Sequence, residues 1–379
     1  MTRGHKIRRL AFVTSNAFTL VNFRGPLIKE LINKKVEVFA FAPDFDDFTR
    51  TQVSLLGAIP VDSHITRSNF TPFKDFFSII KLSIQFKKYN LDAVFLYIIK
   101  PVIFGSIAAK IAKIPKIFAI IEGAGYVFTD HSRFSFFRWF LNKIVIFLYK
   151  ISLNYTNKVF FLNKDDVQLF KKNRLIEPNK IILINGIGLN LSFFRYKKPY
   201  KKQLTFTIIA RLLKEKGIYE FVDAARQIKN LNKNVKFLIV GSIDSNPSAI
   251  SEFVVDAWVT EGLIEWVKHV NDIRPLLERT SVFVLPSYRE GLPRSSQEAM
   301  ALGRPIITTN VPGCKETVIN RVNGFMVPAK NSQALFLAMH RFLEKPSLIL
   351  NMGKESRKIA EKNFNVDKIN QLILKSIQI

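Results

Sequence analysis

The sequence predicts an α/β protein built on two doubly wound parallel sheets, and three observations carry that prediction. Short apolar runs rich in Val, Ile and Phe alternate with segments of helical periodicity. The alternation stops at a basic, proline-containing stretch, Arg195-Tyr196-Lys197-Lys198-Pro199-Tyr200-Lys201-Lys202-Gln203, and then starts again. The length of 379 residues also exceeds what one hydrophobic core organises.

Taken in order, strands are expected at 10–14, 36–42, 93–98, 117–121, 159–162 and 181–184 in the first half. Each is a run of buried-type side chains, as a parallel sheet covered on both faces requires. Helices are expected at 25–34, 73–88, 105–114 and 133–155, with Phe76, Ile80 and Ile84 on one face of the second. After the break, strands are expected at 204–210, 235–241, 282–285, 305–308 and 324–327. Helices are expected at 217–230, 273–279 (capped by Asp272), 294–302, 332–344 and 356–379. Strand-helix alternation in both halves reads as two Rossmann-like domains facing a cleft. The domains are set at 1–197 and 198–355, with 356–379 a final helix expected to pack back on the first domain.

Composition narrows the partners. Lys and Arg total 57 against 30 Asp and Glu, a net charge of +27. Such a chain draws nucleic acid, an anionic membrane surface or phosphorylated substrates, unless the charge is a lysine-rich composition with no specific partner. The charge is diffuse and no aromatic-basic reading module stands out, which argues against nucleic acid. The single cysteine, Cys314, excludes an internal disulfide and a cysteine-rich metal site, and suits a reduced cytosolic compartment. The basic N-terminus leads into an apolar run that Thr14-Ser15-Asn16 ends too soon for a signal peptide. No uncharged apolar run reaches the roughly 18–20 residues that span a bilayer. Two helical stretches, Phe73 to Lys81 and Phe134 to Phe140, mix aromatics with cations. Either they lie on an anionic bilayer surface or their aromatics face the core.

The most informative segment is Glu290-Gly291-Leu292-Pro293-Arg294-Ser295-Ser296-Gln297-Glu298. It follows an apolar strand and opens a helix, the place where an α/β protein offers backbone N–H groups to an anion. Its two carboxylates would repel a phosphate, so they need another task, such as gripping sugar hydroxyls. Arg211 and Lys216 flank the loop after the second half's first strand, where a nucleotide diphosphate needs positive charge. Gly241 ends the next strand, either letting a nucleotide pass close to the backbone or making a plain turn. No aspartate-rich metal motif stands out.

These residues, with Ser287-Tyr288-Arg289 before them and Gly303-Arg304-Pro305-Ile306-Ile307 and Pro312-Gly313 after, resemble family 4 of the nucleotide-sugar glycosyltransferases. The resemblance is specific over about residues 205–345. Within the family it is similar to the bacterial branch that builds capsule, O-antigen and lipid-linked oligosaccharides. Phe23-Arg24, Ile121-Glu122-Gly123-Ala124-Gly125-Tyr126-Val127-Phe128 and Asn185-Gly186-Ile187-Gly188 support that branch more weakly. The resemblance implies a GT-B fold and retaining transfer from a UDP-sugar, an N-acetylhexosamine or a hexose, to a polyprenyl-diphosphate-linked saccharide. Work at the inner face of the plasma membrane and independence of metal follow from it. Arg211 and Lys216 would stabilise the departing diphosphate, and Glu290 would reach the donor sugar. Gly291, Leu292 and Pro293 would offer main-chain donors, and Glu298 would accept the ribose hydroxyls. Acceptor contacts are expected from Glu122, Asn16, and Tyr97 or Lys100, which stand near the place of a histidine that family members often carry. A nucleotide-sugar hydrolase or epimerase on the same fold is the other enzymatic reading.

Overall fold

The computed structural model describes residues 6–65, 72–123, 136–199, 203–244 and 246–379. The chain divides into two compact units, 1–187 with 366–379, and 188–365. Residues 124–128 of the expected acceptor loop lie outside the described residues, as do Phe134, Ser135 and the side chains of 136–141.

The first unit runs β1 (Arg9–Val13), α1 (Ala17–Thr19), a π-helical turn (Leu20–Arg24), α2 (Gly25–Asn33), β2 (Glu37–Ala42), α3 (Asp47–Leu55) and β3 (Ile59–Asp62). It continues with α4 (Pro72–Lys88), β4 (Ala93–Tyr97), a second π-helical turn (Pro101–Gly105), α5 (Ser106–Ile111) and β5 (Lys116–Ile121). Then come α6 (Phe136–Asn154), β6 (Lys158–Phe161), α7 (Lys164–Lys172) and β7 (Ile181–Leu183). The seven strands are all parallel, in the order β3-β2-β1-β4-β5-β6-β7. β4 is buried at every position, because helices cover both faces of the sheet. Phe12, Phe95 and Phe160 carry the core across three strands, with ring centroids 5.4 Å and 5.6 Å apart. The strand order reverses between β1 and β4, so the loops leaving their C-terminal ends diverge and open a crevice there.

The second unit runs β8 (Thr205–Ile209), α8 (Ile218–Leu231), β9 (Lys236–Val240), α9 (Glu252–Thr260), β10 (Glu265–Val267) and α10 (Arg274–Arg279). It continues with β11 (Val282–Leu285), α11 (Arg294–Ala301), β12 (Ile306–Thr309), β13 (Gly324–Val327), α12 (Ser332–Glu344) and α13 (Ser347–Asn363). α8 buries Ile218, Phe221, Val222, Ala225 and Ile228 at the spacing of one helical face. The six strands are parallel in the order β10-β9-β8-β11-β12-β13, and the reversal falls between β8 and β11.

The expected single helix at 356–379 is two helices. α13 ends at Asn363 and α14 (Val366–Ile377) begins after a turn at Phe364 and Asn365. Leu189 holds that turn, its N–H donating to the Phe364 carbonyl at 2.7 Å. α14 belongs to the first unit, where Asn370 Nδ2 donates to Glu30 Oε1 at 3.0 Å. The division between units falls at Ile187 and Gly188, ahead of the basic stretch expected to be the linker. The described part of that stretch packs into the second unit. Arg357 Nη1 donates to the Phe194 carbonyl at 2.7 Å, and the Lys197 N–H donates to Leu302 O at 3.2 Å.

Candidate functional site

In the second unit the reversal point gathers the expected donor residues. Lys216 closes a 3-10 turn after β8, and Glu290 sits in the loop after β11. Their side chains meet as an ion pair, Nζ to Oε1 at 2.6 Å, both mostly buried. The Tyr288 N–H donates to Glu215 O at 2.9 Å, so the two loops are also tied through the backbone. A third loop supports them: the Glu290 N–H donates to Pro312 O at 3.0 Å. Gly313, at φ 83°, makes that approach feasible, since a Cβ there would stand 2.2 Å from the Glu290 carbonyl oxygen. Gly241, at φ 154°, is not a plain turn. A Cβ on it would lie 1.9 Å from Ala210 O, so the ends of β8 and β9 approach through the missing side chain.

The remaining charges are also paired. Arg211, half exposed, holds Asp244 at 2.5 Å, Nη1 to Oδ2. Arg294 Nε donates to Glu298 Oε1 at 2.8 Å across one turn of α11. Burial pushes the Glu298 carboxyl above the usual carboxylate range, and Arg294 offsets only part of that rise. Burial, helped by the Glu290 charge, pushes the Cys314 thiol up to about 12, so it stays protonated and is no nucleophile. Leu292 and Pro293 are buried behind the loop. Pro293 has no backbone N–H, which corrects the expectation that it donates. Its contribution is conformational: a φ of −66° at the residue that opens α11. Asp244, Arg294 and Gly313 were not among the expected site residues, although Pro312-Gly313 was a marked motif.

The first unit's reversal point holds a second polar cluster. Arg24 ends the first π-helical turn almost wholly buried, ion-paired with Glu122 at the end of β5. Its guanidinium carbon lies 4.5 Å from the centroid of the Tyr97 ring, a cation–π contact. Thr19 Oγ1 donates to the Tyr97 hydroxyl at 3.1 Å and lies 3.2 Å from Thr14 Oγ1. Arg24 Nε, Ser15 Oγ and Asn16 Oδ1 are buried without a hydrogen-bond partner. Orphaned polar atoms at a sheet's C-terminal edge mark a place built to meet a ligand or ordered water. Ile98, just after β4, sits at φ 71°, a conformation that costs a β-branched residue of order 1–3 kcal/mol.

This geometry corrects one acceptor expectation. Tyr97 is fully buried, and burial raises its phenol far above its ordinary value, so it neither reaches an acceptor nor exchanges a proton near neutrality. Lys100 Nζ is engaged with Asp75 at 2.9 Å. Glu122 stays partly exposed and Asn16 lines the same cluster. Arg24 was legible only as a motif residue; its partner is 98 positions away. Among the described residues no group of three His, Cys, Asp or Glu could hold a metal ion.

The comparisons with known proteins agree with this layout. Residues 192–359 match the family model described as glycosyl transferases group 1. The chain is 33% identical over 366 residues to the N,N'-diacetylbacillosaminyl-diphospho-undecaprenol alpha-1,3-N-acetylgalactosaminyltransferase of Campylobacter jejuni, covering 92% of this chain and 93% of that one. It is 28% identical over 323 residues to the UDP-Gal:alpha-D-GlcNAc-diphosphoundecaprenol alpha-1,3-galactosyltransferase of Escherichia coli, covering 81% of each. Among solved structures, Anabaena HepE in complex with UDP-glucose superposes with a TM-score of 0.75 at 16% identity, covering 98% of this chain and 99% of that one. That likeness speaks for the two-sheet GT-B fold alone. Similarity at 33% identity along nearly the whole of both chains, with the family match over the second unit, makes this chain a member of the group 1 glycosyl transferases.

Proposed function

We propose that the enzyme transfers an N-acetylhexosamine or a hexose from a UDP-sugar to a polyprenyl-diphosphate-linked saccharide, with retention at the anomeric carbon. The observation that carries the reading is the β8/β11 reversal point. Three loops there bring Lys216, Glu290 and the start of α11 together, with Arg211 in the loop after β8 and Glu298 on α11. In the reaction the bond between the anomeric carbon and the β-phosphate oxygen breaks, and the phosphate keeps the electron pair. Arg211 and Lys216 stabilise the charge that develops on that oxygen. Glu290, already bonded to Lys216, orients the lysine and takes a sugar hydroxyl, while the Glu298 carboxylate takes the ribose hydroxyls. The acceptor oxygen bonds to the same face of the anomeric carbon, and its proton passes to the leaving phosphate. A protein base is therefore not needed, which fits a buried Tyr97.

The acceptor saccharide meets the first unit's cluster, where Arg24 fixes the Glu122 side chain and Glu122 accepts a hydrogen bond from an acceptor hydroxyl. The relatives support the substrate classes: one is named for a diphospho-undecaprenol acceptor, and the other for UDP-Gal with such an acceptor. An acceptor anchored in a bilayer places the enzyme peripherally on the inner face of the plasma membrane. Among the described residues no helix is long and apolar enough to cross it. Purified enzyme with each UDP-sugar and a lipid-linked acceptor tests the proposal. The expected outcome is UDP release matched by an α-linked product, undiminished in EDTA. Free sugar without transfer, an inverted product, or loss of transfer in EDTA restored by a divalent ion would each sink the corresponding part.

A further inference from the structure

α4 is apolar on its outward face as well as its inward one. Ser78, Leu82 and Phe86 are buried against the first unit. Phe73, Phe76, Phe77, Ile80 and Ile84 stand 84%, 59%, 61%, 38% and 60% exposed. At 100° per residue these five share one arc opposite the buried face, so they form a stripe rather than scattered surface residues. Lys74, Lys81 and Lys88, at heptad spacing and all exposed, run along one edge of the stripe. The helix's single carboxylate, Asp75, is ion-paired with Lys100 and leaves the lysines' charge uncancelled. α5, which packs on α4, adds exposed Ile111 beside exposed Lys110 and Lys113.

We infer that this face docks on an anionic lipid bilayer, with α4 lying in the interface. The apolar stripe enters the acyl boundary and the lysines stay at the level of the lipid phosphates. Charge complementarity selects the occupant: the face offers apolar side chains edged by one sign of charge, which is the pattern an anionic leaflet presents in reverse. A second copy of the same stripe would bring like-charged lysine edges together with no free carboxylate on α4 to neutralise them. The choice of lipid over an acidic protein rests on the lipid-linked acceptor proposed above.

Co-sedimentation of the full chain with vesicles tests the inference. Wild type is expected to bind vesicles containing about one third phosphatidylglycerol, to ignore phosphatidylcholine alone, and to release as salt rises. The triple variant Phe76→Ser, Phe77→Ser, Ile84→Ser should lose binding. Lys74→Glu, Lys81→Glu, Lys88→Glu should weaken it by at least about fivefold per lysine. All the changed side chains are exposed, so both variants should keep the wild-type melting temperature and turnover on a water-soluble short-chain acceptor. Wild type that ignores anionic vesicles, or a serine variant that binds them unchanged, overturns the surface. So does a wild-type dimer that the serine changes split without affecting vesicle binding. A protein that binds vesicles through α4 yet transfers no sugar removes the proposed activity and leaves the surface standing.

Discussion

The two sheets reverse strand order in the same way, yet the crevices they open are furnished differently. At β8/β11 the cations keep part of their side chains open to solvent and pair with carboxylates from the same loops and from α11. At β1/β4 the cation is Arg24, sealed under Glu122 and stacked on a buried tyrosine, with unpartnered polar atoms around it. The first arrangement suits a ligand whose own negative charge replaces a carboxylate as a cation's partner. The second suits an uncharged ligand such as a saccharide, which needs hydrogen-bond acceptors fixed in place for its hydroxyls. The lesson is that ion pairs at a site differ by which member is free to let go.

The largest effect expected is on the solvent-reachable side. Lys216→Ala should lower kcat by about 10²–10³-fold, because the developing phosphate charge loses its preorganised partner. Steady-state kinetics with saturating donor check it, and near-wild-type turnover would remove Lys216 from the reaction. Arg24→Met should act first on the fold. It leaves Glu122 beside a buried ring without its cation, and the loss should be roughly 3 kcal/mol in urea unfolding. Adding Glu122→Gln should recover much of that stability while the acceptor KM stays raised; if the acceptor KM recovers as well, the pair is structural only.

Gly241→Ala comes next. The added Cβ would overlap Ala210 O, so a destabilisation of about 1–3 kcal/mol and a raised donor KM are expected. A melting temperature within error of wild type would show that the β8 and β9 ends can part. Glu298 gives a pH signature. Its folded carboxyl titrates above the ordinary carboxylate range, so ribose binding should weaken on acidification earlier than for an exposed glutamate. The sign for stability is opposite: a raised carboxyl pKa favours the folded state at low pH, and that contribution is lost as pH rises through the folded pKa. A donor KM profile that Glu298→Gln leaves unchanged would contradict the assignment. The smallest effect is Tyr97→Phe, expected to cost about 1 kcal/mol for the Thr19 hydrogen bond and to leave kcat intact. A large drop in kcat would return Tyr97 to the chemistry.

The same contrast explains what could be read in the chain. The proposed donor site is concentrated in short loops of recognisable chemistry, so a nine-residue segment and one Arg/Lys pair point to it. The cluster at β1/β4 joins residues from a π-helical turn and three strand ends, and no local pattern ties Arg24 to Glu122. The long buried strands were visible as apolar runs. β3 and β10, with α3 and α9 before them, were not. An edge strand such as β3 buries only Val61 of its four residues, which leaves no run to see. Pro293 was misread for a chemical reason, since a motif position says nothing of whether its nitrogen carries a hydrogen.

α14 makes the first unit the last to be finished. The second unit is one continuous stretch of chain, 188–365, set inside the other, whose closing helix is 366–379. During synthesis all of the second unit is translated before α14, so the N-terminal unit waits with an uncovered seam along α2. A premature stop near residue 366 would therefore injure the unit most distant in sequence, and spare the one just completed.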